Sequence, residues 1–106
     1  SDTDDAKRAY DAFMSWYAVH QFYFGIESKD VYGWAEDGAL NIYPTQFKKA
    51  MSELGFNDLR IRKEWADRNW IEFNQEGNER RTTLRKRHAV NKKQERVIFV
   101  KLDVAS

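Results

Sequence analysis

Two short amphipathic segments in the middle of the chain are separated by only three residues, and this spacing restricts the folds that the chain can adopt. The first segment begins at Pro44 and ends before Gly55. Proline favours the first position of a helix and glycine the position after its end, so a helix is predicted over 44–54. Asn57 suits the N-cap of a second helix over 58–68. A three-residue connection that contains glycine is typical of a helix-turn-helix motif.

The residues before this motif predict one helix and one small hairpin. From Asp5 to Phe24 apolar residues recur three or four positions apart and indicate a helix with a broad buried face that ends at Gly25. That face comprises Ala6, Tyr10, Phe13, Met14, Tyr17 and Phe24, widened by Trp16, Val19 and Phe22. The three consecutive rings 22–24 cannot all point inward, so we expect one of them to contact the hairpin or another domain. The segment Val31–Tyr43 surrounds the turn dipeptide Asp37-Gly38, which favours a tight hairpin.

The last third of the chain is basic and alternates in the manner of β-strands. A strand is predicted at Trp70–Phe73, followed by a polar turn around Gly77. A hairpin then pairs Glu79–His88 with Arg96–Leu102. From position 80 to position 96 the chain has eight Lys or Arg and one acid, a local charge of +7. The predicted fold is therefore α+β: a winged helix-turn-helix with three helices, a short N-terminal hairpin and a C-terminal basic β-hairpin as the wing.

The second helix of the motif and the wing carry the candidate nucleic-acid-binding residues. With Ile61 and Trp65 turned inward, Arg60 and Lys63 face outward and Arg62 lies at the margin of that face, where these cations could contact phosphates or base edges. The candidates are Arg60, Arg62 and Lys63 on the helix, and Arg80, Arg81, Arg85, Lys86, Arg87, Lys92, Lys93 and Arg96 on the wing. Glu64 and Asp67 partly neutralise the helix, so the wing is expected to contribute more of the binding. The competing interpretation is that basic residues protect an exposed edge strand from pairing with other chains.

Charge is distributed unevenly along the chain, which leaves a second class of partner open. Residues 1–43 contain three bases and eight acids, a net charge of −5, whereas residues 44–106 contain fifteen bases and nine acids, a net charge of +6. Such a field could steer the basic part toward DNA. It could equally allow the domain to dock on an acidic protein surface, or two copies to associate head to tail in a salt-sensitive manner.

Several functional classes find no support in the sequence. The chain has no cysteine and two histidines without neighbouring ligands, so neither a metal site nor a cofactor is predicted. No phosphate-binding loop and no nucleophile motif occurs, so the domain is not expected to be an enzyme. It contains no apolar run long enough to cross a membrane and no signal peptide, which favours a cytoplasmic location.

Four stretches together resemble an uncharacterised family of helicase-like ATPases found in phages and mobile elements. They are Tyr32–Gly38, Ile42–Lys48, Gly55-Phe56-Asn57 and Trp70-Ile71. In that family the analogous segments form an aromatic hairpin, a helix that starts at proline, a short second helix and a closing basic hairpin. The similarity covers residues 8–102 and would make this chain the C-terminal winged-helix domain of such a protein.

The resemblance also implies how the chain relates to a longer polypeptide. Residues 1–106 would be a single domain excised from a larger protein, with 1–4 disordered or part of a linker. The motor domain upstream would be a partner in the same polypeptide. Two positions depart from the family pattern: Arg62 stands where an apolar residue is usual, and Asn69 where glycine is usual. The sequence does not establish whether Ser1 is native.

Overall fold

The computed structural model describes residues 4–25 and 31–105. Helix α1 (Asp5–His20) begins at Asp4, whose side chain accepts a hydrogen bond from the backbone N–H of Lys7 at 3.1 Å. A single 3₁₀ turn (Gln21–Phe24) extends the helix to Gly25, as the sequence predicts. Residues 1–3 of the predicted linker lie outside the described residues.

The buried face of α1 is narrower than its apolar pattern predicts. Ala6, Ala9, Tyr10, Phe13 and Trp16 are buried, but Val19 and Phe22 are 80% and 68% exposed. Their assignment to the buried face was wrong, because both side chains point to solvent, away from the side of the helix on which Phe13, Trp16 and Phe24 are buried. Of the three consecutive rings, Phe24 is buried and Tyr23 stacks on Tyr32, which directly precedes the first strand. The expected contact between this ring cluster and the hairpin segment is therefore present.

The helix-turn-helix and the first hairpin follow their sequence signals closely. Strands β1 (Gly33–Glu36) and β2 (Ala39–Ile42) pair around the predicted turn. Helix α2 (Pro44–Leu54) ends at Gly55, whose φ of 87° is the left-handed conformation that glycine adopts without strain. Helix α3 (Asp58–Asp67) begins at Asn57, whose side chain accepts a hydrogen bond from the backbone N–H of Arg60 at 2.9 Å. Asn69, with φ of 62°, follows α3 as predicted.

In the basic third of the chain, the positions of the strands differ from those predicted. A small hairpin, β3 (Asn74–Glu76) with β4 (Glu79–Arg81), forms a separate two-stranded sheet around the predicted turn. The wing itself consists of β5 (Leu84–Arg87) and β6 (Gln94–Lys101). The prediction of one continuous strand over 79–88 was therefore wrong. The predicted strand at Trp70–Phe73 is reduced to a bridge between Ile71 and Val100 of β6.

Contacts to α3 explain why the predicted long strand is interrupted. The Arg62 guanidinium donates a hydrogen bond to the Thr82 hydroxyl at 2.9 Å, and Arg80 forms an ion pair with Asp67. Both contacts hold the β3–β4 hairpin against α3, whereas β5 pairs with β6 in the main sheet. The chain therefore changes partners at Thr82 and Thr83.

Strand β6 lies inside the main sheet, whose strand order is β1-β2-β6-β5 with every pair antiparallel. The C-terminal half of β6 pairs with β2 and its N-terminal half with β5. The helices cover the sheet face that carries Leu40, Ile42, Ile98 and Val100, all fully buried. The same strand thus contributes to the hydrophobic core and to the wing.

Two hydrogen bonds connect the elements across this core. The Trp65 indole N–H on α3 donates to the backbone carbonyl of Ala6 on α1 at 2.9 Å. The Tyr10 hydroxyl donates to the backbone carbonyl of Lys101 at the end of β6. Edge-to-face packing of Trp65 against Tyr10, Phe13 and Phe47 completes the junction of the three helices. This junction fixes α3 relative to the sheet that carries the wing.

Candidate nucleic-acid interface

Five of the eleven predicted cations are held in ion pairs within the domain. They are Arg60 with Asp5 and Glu64, Arg62 with Asp58, Arg80 with Asp67, Arg81 with Glu76, and Lys86 with Glu72. Most of these pairs join different elements and so contribute to tertiary structure. A cation paired in this way must give up its carboxylate before it can contact a phosphate fully.

Helix α3 retains little free positive charge on its outward face. Arg62 is only 15% exposed at its side chain and is held between Asp58 and Thr82. Arg60 reaches back to Asp5 on α1 at 3.1 Å. Lys63 is the one predicted cation of α3 that pairs with no carboxylate in residues 4–25 and 31–105. The structure therefore gives this helix a weaker positive field than its sequence implies.

The ion pairs at the start of α1 also affect ionisation. A hydrogen bond from Arg68, just after α3, and a further one from the backbone N–H of Lys7 lower the pKa of Asp4. The same contact with Asp4 raises the pKa of Arg68. The two residues are 2.7 Å apart at their closest atoms and connect the beginning of α1 to the end of α3.

The β5–β6 hairpin, by contrast, carries five cations that pair with no described carboxylate. They are Arg85, Arg87, Lys92, Lys93 and Arg96. All five residues are exposed. The structure thus concentrates the free positive charge of the predicted site on this hairpin. Arg81, which the prediction placed on the same strand as Arg85 and Arg87, belongs instead to β4 and pairs with Glu76.

Arg85 and Arg96 face one another directly across the hairpin. They are cross-strand partners in the register of β5 and β6. Like charges in directly opposed positions destabilise a sheet, and Arg96 donates a hydrogen bond only to a neutral group among the described residues, the Thr83 hydroxyl at 3.4 Å. An anion placed between the two guanidinium groups would remove this repulsion.

An open cleft of about 660 Å³ runs beside this arginine pair. The segment Asn69–Glu76 forms one side of the cleft, and β5 and β6 form the other. Its charged lining residues are Arg81, Arg85, Lys86, Arg96 and Lys101 against Glu72 and Glu76. The cleft therefore has an excess of three positive charges.

The tip of the hairpin is held in place by His88, a role that the sequence did not reveal. The His88 side chain is 6% exposed, and its ring lies 4.5 Å from the ring of Trp34 on β1. Its Nδ1 accepts hydrogen bonds from the backbone N–H groups of Val90 and Asn91 at 3.1 and 3.4 Å. These contacts order the turn that carries Lys92. A histidine within a basic run gave no sequence signal for burial, since the partner ring lies far away in the chain.

Other kinds of site find no counterpart in the described part of the chain. Residues 4–25 and 31–105 contain no group of three or more His, Asp or Glu side chains placed to hold a metal ion. No helix in these two ranges is long and apolar enough to cross a membrane.

A three-helix core joined to an antiparallel sheet, with a basic hairpin after the helix-turn-helix, defines a winged helix-turn-helix domain. Domains of this class commonly bind nucleic acid. The chain belongs to the family described as the Cch helix turn helix domain, whose model matches residues 4–105. Neither a curated protein sequence nor a solved structure shows significant similarity to the chain. Membership in a helix-turn-helix family indicates nucleic-acid binding and makes DNA the expected partner.

Proposed function

We propose that this domain binds DNA mainly through phosphate contacts of the β5–β6 hairpin, as an accessory to a helicase-like ATPase. The observation that carries the proposal is the opposed pair Arg85 and Arg96 beside a basic cleft. Repulsion between these two side chains costs free energy in the unbound protein. A bound phosphate would offset that cost and release counterions from the DNA.

The ion pairs of α3 favour phosphate contacts over base recognition. Base-specific reading by a recognition helix needs several free polar side chains on the face that enters the major groove. Arg60 and Arg62 are paired with carboxylates. Of the three cations predicted on α3, Lys63 is the one without a carboxylate partner among the described residues. We therefore expect weak sequence specificity.

The relation to a motor rests on the resemblance of the sequence to helicase-like ATPases of phages and mobile elements. A domain that holds DNA by its backbone would keep the substrate near the motor and reduce dissociation between steps of translocation. In this proposal the domain binds and does not catalyse. ATP hydrolysis would belong to another part of a longer polypeptide.

A salt titration of three proteins tests the phosphate contacts. In the test variant Arg85, Lys93 and Arg96 are changed to Gln. DNA affinity is measured by fluorescence anisotropy with labelled single-stranded and duplex oligonucleotides at several salt concentrations. For duplex DNA, each lost phosphate contact reduces the slope of log K against log salt by about 0.9, so three lost contacts reduce it by up to about 2.7.

The matched control removes the same charge from residues that are already ion-paired. Here Lys7, Arg60 and Arg80, which are ion-paired and do not line the cleft beside Arg85 and Arg96, are changed to Gln, and the net charge falls by three, as in the test variant. We expect the slope of the control to stay close to that of the unsubstituted protein. Equal losses in the two variants would mean that only total charge matters, and absence of binding by the unsubstituted protein would refute the proposal.

Head-to-tail association of copies remains the competing function, and the internal ion pairs weigh against it. Asp4 and Asp5, which belong to the acidic part of the chain, pair with Arg68 and Arg60 of the same molecule. Those carboxylates are less able to attract the hairpin of another copy. Size-exclusion chromatography at low and high salt distinguishes the two functions, because a dimer that salt dissociates, combined with no DNA binding, would favour association.

A further inference from the structure

A second cleft, of about 580 Å³, lies between the C-terminal part of α1 and the outer side of α2. One wall is mainly aromatic and is formed by Trp16, His20, Tyr23, Val31 and Tyr32. The opposite wall is mainly polar and is formed by Gln46, Lys49, Ala50 and Glu53. Volumes of this size are usual for small-ligand sites.

Tyr23, Tyr32 and Trp16 form a ladder of nearly parallel rings in the aromatic wall, whereas His20 is tilted by 31° and 38° against the two tyrosines. Tyr23 and Tyr32 stack with centroids 4.5 Å apart and an interplanar angle of 14°. Trp16 and His20 stack at 4.4 Å and 19°, and Trp16 is also close to parallel with Tyr32, at 15°. Flat rings in a common orientation can extend their stack by one further flat ring.

The polar groups around this ladder match the edge of a nucleobase. The Gln46 amide offers a donor and an acceptor, Glu53 offers an acceptor, and Lys49 offers a positive charge for a phosphate. The His20 Nδ1 donates to the Trp16 carbonyl at 2.7 Å, which leaves Nε2 as an acceptor when the ring is neutral.

One buried donor in the aromatic wall also has no partner. The Trp16 indole N–H has no hydrogen-bond acceptor among the described residues, although the residue is only 9% exposed. An unsatisfied buried N–H costs free energy. A ligand carbonyl that reached this group after a small adjustment of the neighbouring rings would gain a hydrogen bond that the unbound protein lacks.

The cleft lies at the same end of the sheet as the tip of the basic hairpin. Tyr32 directly precedes β1, and its carbonyl accepts a hydrogen bond from the backbone N–H of Tyr43, directly after β2, at 2.9 Å. Tyr43 packs edge-to-face on Trp34, and Trp34 in turn contacts His88 at the tip. Two ring contacts and one backbone hydrogen bond therefore connect the tip to the segment that borders the cleft.

We propose that this cleft binds one unpaired nucleobase of a strand whose phosphates lie along the hairpin tip. The proposal rests on the nucleic-acid binding proposed above and adds a preference for single-stranded segments. The base would stack on the Tyr23–Tyr32 ladder and present its edge to Gln46. Stacking tolerates every base, so this site would contribute affinity for unpaired strands without strong sequence preference.

Substitution of Tyr23 by Ala tests the proposal with two strands that carry the same charge. One is a labelled oligothymidylate, and the other is a strand of equal length made of abasic residues. Base–aromatic stacking contributes about 1–3 kcal/mol per base, so Tyr23→Ala is expected to weaken binding of the base-bearing strand by roughly 5- to 150-fold. Binding of the abasic strand should be unchanged.

Two further variants control for surface hydrophobicity and for disturbance of the fold. Val19→Ala removes an apolar side chain of α1 that is 80% exposed and does not line the cleft, and it should leave both affinities unchanged. Gln46→Ala removes the polar edge without altering the ladder and should weaken only the base-bearing strand. If Gln46→Ala and Tyr23→Ala both weaken binding of the base-bearing strand alone, the proposal is supported even if Tyr23→Ala is less stable than the unsubstituted protein.

The remaining outcomes separate failure of this proposal from failure of the proposed function. Equal binding of the base-bearing and abasic strands by the unsubstituted protein, or an equal loss for both strands in Tyr23→Ala, would overturn the base site but leave the phosphate contacts intact. If neither strand binds, the proposed function fails. A titration with deoxythymidine monophosphate then tests whether the cleft binds a base. Binding that is lost in Tyr23→Ala would support the base site, and absence of binding to the unsubstituted protein would overturn it.

Discussion

The contacts of His88 predict how much the hairpin tip depends on one side chain. Replacement by Phe keeps a ring against Trp34 but removes the acceptor for the N–H groups of Val90 and Asn91. One hydrogen bond contributes about 0.5–1.5 kcal/mol to stability, and because the contact with Asn91 is long, at 3.4 Å, we count the two contacts as one such bond. Replacement by Ala also removes the ring contact, a further ~0.5–1.5 kcal/mol. We therefore expect a loss of roughly 1–3 kcal/mol for His88→Ala and about half of that for His88→Phe.

Urea unfolding followed by far-UV circular dichroism measures both losses. With a urea dependence of about 2 kcal/mol/M, the midpoint of His88→Ala should fall by roughly 1 M. Val90→Ala is the matched control at the tip, since this side chain is 53% exposed and its loss should change stability by less than about 0.5 kcal/mol. An unchanged midpoint for His88→Ala would refute the idea that this residue anchors the tip. Equal losses for His88→Ala and His88→Phe would show that the ring contact contributes nothing.

Three further predictions concern the helices. Asp4→Asn should lower the melting temperature at neutral pH. Because pairing with Arg68 lowers the pKa of Asp4, the difference between the two proteins should begin to shrink as pH falls below about 4 and vanish only below the lowered pKa, which calorimetry across pH checks. Gly55→Ala, at a φ of 87°, should cost about 1 kcal/mol in a urea titration, whereas unchanged stability would exclude strain at this turn. Trp65→Phe should cost about 2–4 kcal/mol, because it leaves the Ala6 carbonyl without its buried donor and opens a cavity; a loss below 1 kcal/mol by the same titration would contradict this.

Local signals in the sequence were sufficient to predict the helices of this domain. Pro44, Gly55, Asn57 and Asn69 each act through the backbone geometry of their own position, which tertiary structure did not override. The division of the basic third into two hairpins could not be predicted in this way. Thr82 and Thr83 favour strands, and the alternation continues through them, but their partners on α3 and β6 are distant in sequence.

The sequence predicted which basic residues belong to the candidate site, but not how their unpaired charge is distributed over the surface. Charge counting identified the basic region, but the pairing of Arg60 with Asp5 and of Lys86 with Glu72 depends on the folded chain. The cation set that remains on the β5–β6 hairpin is therefore a property of the tertiary structure. His88 was missed for the same reason, since its contact with Trp34 joins elements at opposite edges of the main sheet.

The double role of β6 has an evolutionary and practical consequence. Val97 and Ile98 of this strand are fully buried, and the strand pairs with β2 and β5 along successive halves. A lineage can therefore alter ligand preference by varying the turn at 89–93, whose residues are exposed, but it cannot shorten or replace the wing strands without disturbing the centre of the fold. In chimaeric domains the exchangeable unit is accordingly this turn, and the rest of the hairpin must be inherited with its own helices.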